Sequence, residues 1–84
     1  MRIYFITFRS VTPAQRGEQF LRKNGFRCSL QRTPGWMQEN GCGYALRLGT
    51  DQIGRAAALL EREQIPFRKI YAQDELGNTQ EVLL

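Results

Sequence analysis

The residues best equipped for covalent chemistry in this chain are two cysteines, Cys28 and Cys42, and their settings differ. Cys42 stands between Gly41 and Gly43. Flanking glycines leave a sulfur approachable and allow the backbone unusual angles. A thiolate there suits a nucleophile or a sulfur carrier; the same triplet also suits a tight start to a strand, with a small residue between glycines. Cys28 shares an alternation with Phe26 and Leu30. That spacing places it on an apolar face, where free cysteine behaves as a small hydrophobe. The chain has no histidine, which excludes Ser-His and Cys-His nucleophile pairs and histidine metal sites. No glycine-rich phosphate loop is present, and the two cysteines fit no Cys-x-x-Cys motif. No metal and no cofactor is expected.

The elements that must position these residues follow from periodicity. Arg2 to Phe8 is rich in β-branched and aromatic residues with large side chains on both faces, as in a central strand with helices over one face. Thr12 with Pro13 and Gln15 has the pattern of a capping box opening a helix. Ala14, Gly17, Phe20 and Leu21 share one face of that helix, and Asn24-Gly25 ends it. Phe26 to Arg32 alternates as a half-buried strand, and residues 33–43 form a loop. Tyr44, Leu46 and Leu48 alternate with Ala45 and Arg47 in a third strand. Thr50 or Asp51 caps a second helix, with Ile53, Ala56, Ala57 and Leu60 as its buried stripe and Ile65-Pro66 as its stop. Phe67 to Ala72 is a fourth strand. The order predicts an α+β domain over residues 1–72: a ferredoxin-like βαββαβ sandwich, four antiparallel strands in the order 4-1-3-2, two helices on one face. Residues 73–84 begin with a turn at Asp74 to Asn78 and continue as an extra strand or a frayed end.

In that fold the first strand ends, the third begins and the first helix starts at one sheet edge. Arg9, Ser10, Thr12 and Gly41-Cys42-Gly43 are then expected to converge there. A helix N-terminus stabilises a thiolate through free N–H groups and partial positive charge, and Arg9 or Arg32 could add to it. A hairpin centred near residue 37 puts Cys28 opposite about residue 46 and Cys42 opposite about residue 32. The offset is about 13 Å along the strand, beyond the roughly 7 Å that a disulfide tolerates between Cα atoms. Both thiols are expected free. Trp36 and Met37, in the loop, form a partner-binding contact or fold back over the core.

With 84 residues the chain is long enough for one domain. Its net charge of +4 is uneven: residues 1–41 carry seven Lys/Arg and two Asp/Glu, residues 42–84 five and six. The arginines are scattered along the chain, as on a solubilising surface. Tyr4, Phe8 and Tyr44 lie on candidate central strands without the glycine-aromatic motif of RNA-binding domains, so no specific nucleic-acid partner is expected. No apolar run has the length of a membrane span, and the N-terminal stretch reads as a strand rather than an export signal. With two cysteines only, a reducing cytoplasm is expected.

The segment Ile6-Thr7-Phe8-Arg9-Ser10, the amphipathic helix, and Thr33-Pro34 leading to Cys42-Gly43-Tyr44-Ala45-Leu46-Arg47 resemble the putative selenium/sulfur carrier protein-like family of short bacterial and archaeal domains, over about residues 3–72. The resemblance implies that Cys42 is the family's characteristic cysteine. It implies that this cysteine holds sulfur or selenium as a persulfide or selenopersulfide, passed between donor and acceptor proteins. Gly35 stands where the family often has Arg, and Gly41 where it often has Ser. The alternative class is a non-catalytic, ligand- or protein-binding regulatory module of the same fold. Both are carriers or binders rather than turnover enzymes.

Overall fold

The computed structural model describes residues 2–32 and 43–83. The elements run β1 (Arg2–Phe8), α1 (Val11–Lys23), β2 (Cys28–Arg32), β3 (Tyr44–Thr50), α2 (Ile53–Arg62), β4 (Ile70–Gln73) and β5 (Thr79–Val82). The strands form one antiparallel sheet in the order β2-β3-β1-β4-β5. The sheet therefore has five strands: the expected four, and beside β4 the extra strand that was one of the two outcomes expected for the tail. The addition comes from the C-terminal segment: Asp74 turns the chain, its Oδ1 accepting the N–H groups of Leu76 and Asn78 at 2.9 Å each. The turn delivers Thr79–Val82 alongside β4, with Tyr71 opposite Glu81.

Alternation decides which residues face the helices. Tyr4, Ile6 and Phe8 of β1 and Leu46 and Leu48 of β3 share one buried cluster with Ala14 and Leu21 of α1 and Ile53, Ala56, Ala57 and Leu60 of α2. Both helices thus lie over the same face of the sheet. Phe8 is 1% exposed; burying such a side chain stabilises the fold by roughly 1.5–3 kcal/mol. α1 approaches closely because Gly17 lacks a Cβ: one there would come within 3.2 Å of the Phe8 ring and 3.3 Å of Leu46. The intervening residues Phe5 and Ala45 form a second small cluster with Ile3 and Tyr71.

The helix ends correct the expected caps. α1 begins at Val11, with Ser10 as N-cap in extended conformation. Thr12 is inside the first turn, and Pro13 sits among the first four residues, whose N–H groups need no helical partner. Gln52, not Thr50 or Asp51, is the N-cap of α2; the Thr50 hydroxyl instead accepts the Gln52 N–H at 2.9 Å. The two C-termini share one geometry. Phe26 N–H donates to the Leu21 carbonyl at 2.9 Å and Gly25 N–H to that of Arg22 at 3.1 Å. Likewise Ile65 N–H donates to Leu60 and Gln64 N–H to Glu61, at 2.9 and 3.1 Å. Both are Schellman closures with a residue of positive φ, Gly25 at 89° and Gln64 at 57°. α2 therefore ends before Ile65-Pro66, the expected stop.

Two strands are shorter than periodicity predicts. β2 begins at Cys28 rather than Phe26, because residues 24–26 are spent closing α1. β4 begins at Ile70 rather than Phe67. Residues 68 and 69 instead bond to Thr7, as described below. The β2–β3 register is also two residues from the one expected: Cys28 lies opposite Leu48, and Arg32 opposite Tyr44.

Candidate functional site

The end of β1 organises one edge of the molecule. Phe8, the last residue of β1, is paired with Tyr44, the first of β3. Gly43, half-buried, immediately precedes Tyr44, and Arg9 immediately follows Phe8. Ser10 and Thr12, both exposed, complete the junction into α1. The structure thus brings Arg9, Ser10, Thr12 and Gly43 to the same edge. Cys42, Gly41, Trp36 and Met37 lie outside the described residues.

The first turn of α1 carries no acidic residue, and the Ser10 side chain makes no capping hydrogen bond. Its N–H groups and the positive end of the helix are therefore unmatched by any anion from the turn itself.

Thr7 anchors the segment on the other side of β1. It is the one buried polar residue among those described, 5% exposed. Its Oγ1 donates to the Lys69 carbonyl at 3.2 Å and accepts the Lys69 N–H at 3.0 Å. Its carbonyl accepts the Arg68 N–H at 2.7 Å, and its own N–H donates to the Lys69 carbonyl at 2.8 Å. Burial of a hydroxyl is tolerated when it is bonded in this way, and the bonds hold Arg68 and Lys69 beside the end of β1.

The result is a groove of about 560 Å³ lined, among the described residues, by Arg9, Pro13, Pro66, Phe67, Arg68 and Lys69. Three cations line it and no carboxylate does. Lys69 Nζ is 3.7 Å from Glu81 Oε1. Phe67 packs partly against the core and presents the rest to the groove. Sequence reading found Arg9 but missed Arg68, Lys69 and Phe67. Arginines that look scattered along the chain converge here, and two of the three cations belong to the less basic half. The signal available was the antiparallel pairing of the first and fourth strands, which sets residues 68–69 against Thr7.

Cys28 occupies the opposite setting. It is 7% exposed, its Sγ 3.6 Å from the Glu18 carbonyl oxygen. Its own carbonyl accepts Arg22 Nε at 3.1 Å and Nη2 at 2.9 Å. Desolvation pushes the thiol's pKa up, Glu18 adds to the rise, and Arg22 opposes it. A thiol held protonated is a poor nucleophile, which fits the core role expected for it.

No group of three or more candidate ligands that could hold a metal ion occurs among the described residues. Among them, no helix is long and apolar enough to cross a membrane.

The fold and edge just described belong to a small α+β protein with a groove at one sheet end lined by Arg9, Arg68 and Lys69. The family described as Putative Se/S carrier protein-like matches residues 3–72, and the chain belongs to that family. No curated protein and no solved structure matches it.

Proposed function

We propose that this chain carries sulfur or selenium on Cys42. The observation that supports the reading is the family match, which spans the segment containing Cys42. The chemistry of the neighbouring residues is consistent with it. Gly43, which follows Cys42 in the chain, precedes a strand paired with the end of β1, where α1 begins without an acidic residue in its first turn. A cationic helix end favours a thiolate over a thiol.

In the proposed step the Cys42 thiolate attacks the sulfane sulfur of a donor persulfide. An Sγ–S bond forms, the donor's S–S bond breaks, and the donor departs as a thiolate. The reverse exchange with an acceptor thiolate discharges the cargo. Each step is thiol–disulfide exchange and calls for no external oxidant or reductant. Partners are then donor and acceptor proteins bearing reactive thiols or selenols.

Intact-protein mass after incubation with a persulfide donor tests this. Wild type and Cys28→Ser should gain the mass of one sulfur atom, removed by a reducing thiol, while Cys42→Ser gains none. Unchanged mass for the wild type, or equal gain by Cys42→Ser, would remove the support for a carrier.

A further inference from the structure

We propose that the groove between the start of α1 and residues 66–69 binds a small organic phosphate, its phosphoryl group on Arg9 and Arg68 and its planar apolar body against Phe67, Pro13 and Pro66. This site goes beyond the carrier reading and does not depend on Cys42.

Three features of the lining lead there. The first is charge. Arg9, Arg68 and Lys69 line one groove with no carboxylate among the lining residues described. Guanidinium groups stay charged at every physiological pH and match the oxygens of a phosphate in paired hydrogen bonds. Three clustered cations suit a dianion better than a carboxylate. The planar guanidinium fork matches phosphate oxygens in pairs where an ammonium acts as a point charge, so the two arginines are assigned the direct contacts and Lys69, 3.7 Å from Glu81, a supporting charge.

The second feature is shape. The groove measures about 560 Å³, several times the volume of a bare tetrahedral anion and within the range of small-molecule sites, about 300–1,000 Å³. Pro13, Pro66 and Phe67 give it apolar walls. An inorganic anion would leave those walls wet; an aromatic or heterocyclic body covers them.

The third is rigidity. Thr7 holds residues 68 and 69 through four hydrogen bonds, two to its main chain and two to its hydroxyl. Pro13 and Pro66 fix φ on both sides of the groove. The backbone that carries the cations is thus set before any ligand arrives, which lowers the ordering cost of binding.

The test titrates phenyl phosphate into isotope-labelled Cys42→Ser protein, so that no thiol chemistry intervenes, and follows the backbone amides. Saturable shifts confined to Arg9, Phe67, Arg68, Lys69 and the first turn of α1 are expected. Arg9→Gln and Arg68→Gln should each weaken binding about tenfold, the usual size of a lost charge-assisted contact. Arg27→Gln, in the connection between the C-terminus of α1 and β2, should leave affinity unchanged. Inorganic phosphate should bind about tenfold more weakly for want of the aromatic contact. Absence of saturable shifts, or equal weakening by Arg27→Gln, would overturn the site. Equal affinity for inorganic phosphate would overturn the assignment of the apolar walls. Persulfide uptake by wild-type protein is a separate readout, so failure of one proposal leaves the other standing on its own measurement.

Discussion

The two ends of α1 are built in opposite ways. At the C-terminal end the helix is closed by its own chain. Asn24 and Gly25 turn the backbone, and Asn24 Nδ2 donates to the Phe20 carbonyl at 2.8 Å. Glu18 Oε2 accepts the Leu30 N–H of β2 at 2.9 Å, while Arg22 takes the Cys28 carbonyl. β2 is an edge strand, and these two side chains occupy backbone groups that an edge leaves open to another strand. At the N-terminal end, by contrast, Ser10 makes no capping bond with its side chain, the first turn holds no acidic residue, and Arg9 joins Arg68 and Lys69 around a groove. One helix end is closed by bonds from its own residues; the other has no such side-chain closure from Ser10 or its first turn. Cys28 lies at the closed end, and Gly43, at the start of β3, lies beside the other.

The strongest way to break the comparison is to empty the closed end. Leu21 has no exposed surface, and its carbonyl accepts the Phe26 N–H. Leu21→Ala should cost about 2–5 kcal/mol through lost transfer energy and the cavity left behind. Urea unfolding measures it. A loss below about 1 kcal/mol would show that the end is loosely packed.

A smaller effect is expected at Glu18. Glu18→Ala leaves the part-buried Leu30 N–H without its carboxylate acceptor, a cost of about 1–3 kcal/mol. Glu18→Gln keeps an acceptor oxygen and should lose visibly less. Equal losses for the two would mean that the hydrogen bond contributes nothing. Glu18 also raises the Cys28 pKa, which links this end to pH. The folded thiol titrates above its unfolded counterpart, so its contribution is fully present below the unfolded thiol range and is lost as pH rises through the raised value. Stability of a Cys42→Ser protein should therefore fall on the alkaline side, and a further Cys28→Ala change should flatten that fall. Identical slopes for the two proteins would count against a raised pKa.

How much of this was legible beforehand depends on the kind of signal. Tyr44–Thr50 alternates and Arg2–Phe8 carries large β-branched and aromatic side chains on both faces, so both strands were readable, as was the helix stop at Gly25. β4 starts later than Phe67 because Arg68 and Lys69 both bond to Thr7, two residues against one, which interrupts the regular ladder there and leaves no mark in the residue pattern. The β2–β3 register depends on a connection whose length does not define its geometry. The second helix end hides in the sequence because Gln64 takes a positive φ without being glycine. Gln64→Gly should stabilise the fold by up to about 1 kcal/mol, the strain of a non-glycine residue in that region. The groove was invisible because its cations come from segments nearly sixty residues apart, joined only by strand pairing.

The finest test lies at the open end of α1. Replacing an N-cap serine by alanine ordinarily costs about 0.5–2 kcal/mol. Here the Ser10 hydroxyl makes no capping bond, so Ser10→Ala should be close to neutral. Ser10→Asp should act in the other direction. A carboxylate at the N-cap can accept a free N–H of the first turn and oppose the helix's positive end, together worth about 0.5–1 kcal/mol. The same charge would sit next to Arg9 and compete for it. Ser10→Asp should therefore raise the urea midpoint and at the same time weaken phenyl phosphate binding, whereas Ser10→Ala changes neither. A gain in stability with undiminished phosphate affinity would separate the helix end from the groove. A marked loss in Ser10→Ala would show that the serine caps α1 after all, and the contrast between the two ends would go with it.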